Sequence, residues 1–112
     1  MSLKRVTHSA CSHAENTKLT NAMKSSPKCR WVVSIELDEN ESVTFEAYSG
    51  KTLTVAAAKN WPPGLVVTPA SGSGSSVTIA ASGVPSSNKG RNYWYEIFDE
   101  NGNKIDPIII PR

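Results

Sequence analysis

The chain has 112 residues, 38% hydrophobic and 20% charged, with seven glycines and seven prolines. This is enough for one compact domain with a core of its own, and it excludes a collagen-like repeat or wholesale disorder. The formal net charge of +2 is unevenly spread: residues 1–30 hold six cations (Lys4, Arg5, Lys18, Lys24, Lys28 and Arg30) against Glu15, net +5, whereas the remainder holds six cations against nine anions, net −3.

In chain order, residues 1–29 read as a polar, basic, loosely ordered arm. Their apolar positions (Val6, Ala10, Ala14, Leu19, Ala22, Met23) are few and mostly small, too thin a stripe to anchor a helix by burial. A basic arm on an acidic body gains from counterion release on phosphate. Its cations are dispersed, however, with no aromatic among them to stack on bases, so a nucleic-acid role is not expected. Nor is a membrane role: no apolar run approaches the roughly 20 residues a spanning helix needs. The uninterrupted apolar run of a secretory signal is also missing, so the expected location is the cytoplasm.

Cys11 and Cys29 lie in or beside the arm. Paired in an oxidising compartment, they would close a loop worth roughly 3 kcal/mol; two free thiols fit the same count. His8, Cys11, His13 and Cys29 are all zinc-capable, yet their spacing matches no common finger. Neither a metal nor a cofactor is therefore expected.

From residue 30 onward, β-branched and aromatic residues recur in short alternating runs closed by turn residues. Residues 31–37 place Trp31, Val33, Ile35 and Leu37 on one face. After the 38–41 turn, Val43, Phe45 and Ala47 repeat the pattern, and after Ser49-Gly50-Lys51 so do Leu53, Val55 and Ala57. The tandem prolines of Trp61-Pro62-Pro63-Gly64 forbid a helix there. Short strands are predicted at 65–68 and 77–81 around a flexible Ser/Gly turn at 71–76. That turn lacks the lysine and following helix of a phosphate-binding loop. A long polar connection over 82–92 leads to a strand at 93–98, with Tyr93, Tyr95 and Ile97 opposite Trp94, Glu96 and Phe98. Asn101-Gly102 signals a hairpin to a last strand at 104–110, where Pro107 marks an edge, a bulge or a boundary.

Seven such strands with short connections predict an all-β protein, an antiparallel immunoglobulin-like β-sandwich over residues 30–112 carrying the arm 1–29; a small barrel, which uses the same inward alternation, is the alternative. A parallel sheet is excluded by the shortness of most connections.

Trp61-Pro62-Pro63-Gly64-Leu65, then Ser82-Gly83-Val84-Pro85, then Tyr95-x-Ile97-x-Asp99-x-x-Gly102 resembles the turn progression of bacterial immunoglobulin-like domains. The departure is a longer Ser/Gly loop at 71–76. The ending Ile105-Asp106-Pro107-Ile108-Ile109-Ile110-Pro111 is similar to the C-terminal motif of the small bacterial DP-EP family, whose members have no assigned function; Ile110 stands where that motif has Glu. Either resemblance implies a non-catalytic sandwich and names no ligand.

The function expected is therefore an interaction or structural module. Ile108, Ile109 and Ile110 would form either an edge strand that another protein or a second copy covers, or a central strand buried on both sides by its own domain. The alternative is a carbohydrate-binding module using exposed aromatics: Trp61 in its proline-rich loop, Tyr48 and Trp94. An enzyme is not expected, because Asp38, Glu39, Glu41, Asp99 and Glu100 fall in turns, where solvation keeps carboxylates ordinary.

Overall fold

A computed structural model describes residues 3–9, 14–15, 34–57 and 60–112, the side chains of Ala14, Glu15, Ser34 and Ile105 apart. In chain order the strands are β1 (Leu3–His8), β2 (Ala14–Glu15), β3 (Ser34–Leu37), β4 (Ser42–Ala47), β5 (Leu53–Ala57), β6 (Leu65–Thr68), β7 (Ser73–Gly74), β8 (Ser76–Ala81), β9 (Tyr93–Asp99), β10 (Lys104–Ile105) and β11 (Ile108–Pro111). The first sheet runs β2-β1-β4-β8-β6. The second runs β3-β11-β9-β5-β7, with β10 also beside β9. The protein is all-β, as the alternation predicts.

The period of two decides which side chains meet between the sheets. Val43, Phe45 and Ala47 of β4 and Val77, Ile79 and Ala81 of β8 are buried from one side, Leu53 and Val55 of β5 and Tyr93, Tyr95 and Ile97 of β9 from the other. The rings of Phe45 and Tyr95 meet across the gap at 6.0 Å. Within the second sheet, Ile35 and Leu37 of β3 and Ile109 of β11 complete the buried layer.

Three expectations need correction. Leu3–His8, assigned above to a loose arm, is a strand paired antiparallel with β4, and Leu3, Val6 and His8 are buried. Simple alternation misses it because the register shifts between Leu3 and Arg5, putting two residues rather than one between Leu3 and Val6 on the inner face. Second, the sheets are not wholly antiparallel, since β3 runs parallel to β11. Parallel neighbours need a long connection, and the body of the domain supplies it. Third, Ser73–Gly74 is not only a turn: it pairs with β5 and carries the chain from one sheet to the other. Of the three expectations for Pro107 the structure has the boundary: the last strand is split at Asp106-Pro107 into β10 and β11, and β9 spans the break through the Tyr95 amide, which donates to the Pro107 carbonyl at 3.2 Å.

The proline-rich loop is fixed by a close approach. Gly64 has φ +90°, and a Cβ there would lie 2.6 Å from the Val84 nitrogen. Only glycine tolerates both conditions, and the Gly64 carbonyl accepts from the Ser82 amide at 2.7 Å.

Candidate functional site

Alternation along β9 sends adjacent aromatics to opposite surfaces. Tyr93 and Tyr95 point into the core, while Trp94 points out of the second sheet and is 55% exposed. Beside it on the same face lie Glu96 on β9, Ala56 on β5 and Ile108 on β11, the last directly across from Trp94. Ile108 and Ile110 are half-buried on this outer face.

The two alanines create a concavity. A depression of about 340 Å³ is lined by Ala56, Ala57, Trp94, Tyr95, Glu96 and Asp106. Larger residues on β5 would fill it. The Lys104 ammonium donates to Glu96 Oε2 at 2.6 Å and reaches Asp106 Oδ1 only at 3.9 Å. That hydrogen bond holds the Glu96 carboxyl below the usual glutamate range and pushes the Lys104 ammonium above the usual lysine range. On the far side of β11, Arg112 Nε donates to Glu36 Oε1 at 2.6 Å.

The aromatics proposed from sequence are not brought together. Trp61, expected to be free in its loop, is packed against the core. Its ring meets Tyr95 edge-on at 5.8 Å and Tyr93 at 6.4 Å, and its indole N–H donates to the Leu65 carbonyl at 3.0 Å. The tandem prolines and Gly64 fold the loop back on itself, so the indole closes one end of the sandwich. Tyr48 is 46% exposed but lies elsewhere. Its turn is tied to the far end of β9 by the Lys51–Glu100 contact at 3.8 Å. Six residues of strand, about 20 Å, separate Glu100 from Trp94. Trp94 is thus the one member of the proposed set in the depression.

Of the two places expected for the isoleucine run, the structure has the central one. β11 is not an edge strand, because β3 occupies one side and β9 the other. Ile109 is buried in the core, leaving Ile108 and Ile110 to the outer face.

Sequence reasoning missed a tie at the margin of the sandwich. His8 on β1 is buried, and its Nε2 lies 2.7 Å from the Glu36 carbonyl on β3. A carbonyl only accepts, so Nε2 carries the proton and donates. One side chain thereby joins the first sheet to the second and occupies a carbonyl of β3. Its sequence signal was the buried spacing of Leu3, Val6 and His8, hidden by the irregular register.

Cys11, His13, Cys29 and Trp31 lie outside the described residues, as do the basic positions from Lys18 to Arg30. Among the described residues no three His, Cys, Asp or Glu side chains converge as metal ligands, and no helix is long and apolar enough to cross a membrane. No family model, curated protein or solved structure matches this chain.

Proposed function

We propose that the protein is a non-catalytic interaction module on an immunoglobulin-like sandwich, and that the outer face of the second sheet around Trp94 is its contact surface. With the flanking β2, β3 and β7 set aside, the strand order β1-β4-β8-β6 facing β11-β9-β5 supports the immunoglobulin-like reading, since it parallels the four-against-three arrangement of that class. The observation that carries the function is Trp94 itself: a 55% exposed indole beside a concavity, on a strand whose flanking tyrosines are both spent on the core. Exposed tryptophans rimmed by polar groups are the usual anchors of protein contacts.

Contact runs through side chains of a face rather than through strand addition at β11, whose backbone is already paired on both sides. The partner is another protein or a second copy, and no cofactor is assigned. A second reading, carbohydrate binding, is favoured by the depression beside the indole, where a sugar ring could stack while Glu96 and Asp106 accept from its hydroxyls.

Light scattering of the purified protein and of Trp94→Lys is the first test. A mass above monomer that falls to monomer in the variant supports self-association through this face. A monomer directs the same face to a different chain, whose chemistry is argued below. A glycan that shifts tryptophan emission in the wild type and not in Trp94→Lys overturns the protein-contact reading.

A further inference from the structure

Resting on the reading of the Trp94 face as a protein-contact surface, we infer that the partner presents an arginine side chain that lies over the Trp94 indole with its charge against Asp106. The charged residues lining the depression are Glu96 and Asp106, both acidic, while Trp94 supplies an exposed ring face. Among the described residues one ammonium, that of Lys104, serves both carboxylates and sits far closer to Glu96, at 2.6 Å against 3.9 Å. The described residues of this locale therefore carry a net negative charge centred on Asp106, whose side chain is 53% exposed.

An indole face attracts a cation through its quadrupole, and a planar guanidinium can stack on the ring while its N–H fork meets a carboxylate. Ala56 and Ala57 keep the floor low, so a long, slender side chain can lie along the depression without displacing Lys104 from Glu96. An acidic partner residue would meet the two carboxylates, and a bulky apolar one would desolvate Asp106 with only the Lys104 ammonium, 3.9 Å away and hydrogen-bonded to Glu96, to offset it, which is costly.

The test follows indole N–H signals by NMR in the full chain, with Trp94→Phe assigning the Trp94 resonance. The probes are tetra-arginine, tetra-glutamine and cellohexaose. Tetra-arginine is expected to shift the Trp94 signal, and its affinity, read by titration calorimetry, to fall about fivefold or more in Trp94→Ala and comparably in Asp106→Asn. Affinity should also fall with added salt. Glu46→Gln, which removes an acid from the other sheet, is expected to change nothing.

If tetra-arginine leaves the Trp94 signal unmoved, or binds all the variants equally, the inference is wrong. Should tetra-glutamine or self-association perturb Trp94 instead, the arginine inference falls while the protein-contact reading stands. A response to cellohexaose alone overturns both, as does a Trp94 signal that nothing perturbs in a protein that stays monomeric.

Discussion

Tyr95 carries the sharpest energetic consequence of any single residue described here. Its ring is fully buried against Phe45 and Trp61, and its hydroxyl has no hydrogen-bond partner among the described residues. Burial pushes its pKa well above the ordinary tyrosine value, because a phenolate there would be unsolvated. A buried hydroxyl without a partner costs roughly 1–3 kcal/mol. Tyr95→Phe keeps the ring contacts and removes that cost, so the variant should be at least as stable as the wild type and up to that much more stable. Urea unfolding measures the difference, and a clear loss of stability would reveal a partner for the hydroxyl. Trp94, the residue before it in the chain, costs the fold little by comparison: it is half in water, so its replacement tests contact rather than stability.

At the level of the element, the β9–β10 hairpin is held twice. Asp99 Oδ1 accepts from the amides of Asn101 and Asn103 at 2.9 Å each, shaping the turn that Gly102 closes with φ +81°. Farther along, the Glu96–Lys104 pair clips the short β10 to β9. Because the folded Glu96 carboxyl titrates below its ordinary range, its contribution is present above the unfolded glutamate value and lost as pH falls through the lower folded one. Lys104 titrates above its ordinary range, so its contribution is present below the unfolded lysine value and lost as pH rises through the higher folded one. Both groups are solvated, so the effect is small. The urea midpoint of the wild type should decline at these acid and alkaline ends more than that of Glu96→Gln. Identical pH profiles for the two proteins would show that the pair contributes nothing.

For the whole molecule, the decisive feature is that β11 lies between β3 and β9, closing the second sheet with residues from the end of the chain. Ile109 fills the core, and the Arg112 amide donates to the Leu37 carbonyl at 2.8 Å. Removing 108–112 deletes a buried isoleucine, a side chain whose truncation alone costs about 2–5 kcal/mol, and strips β3 of its described strand neighbour. Set against total stabilities of about 5–15 kcal/mol, this should abolish cooperative unfolding, as monitored by tryptophan fluorescence against urea. A truncated protein with a sharp transition would mean that β3 and β11 are accessory to the fold.

Much of this architecture was legible in local pattern. Alternation alone placed Val43, Phe45, Leu53, Val77 and Ile79 in the core, because a strand's side-chain period is fixed by its backbone. Asn101-Gly102 announced its hairpin, and Pro107 its interruption, for equally local reasons. What alternation cannot say is which strands are neighbours, since pairing joins residues far apart in sequence. So the parallel β3–β11 pair, the interior place of the isoleucine run and the His8 tie to Glu36 came from the tertiary structure alone. The same holds for the candidate site: a periodic strand says that Trp94 and Tyr95 face opposite ways, but only packing decides which of them meets water, and only the register of β5 against β9 sets two alanines beside the exposed ring.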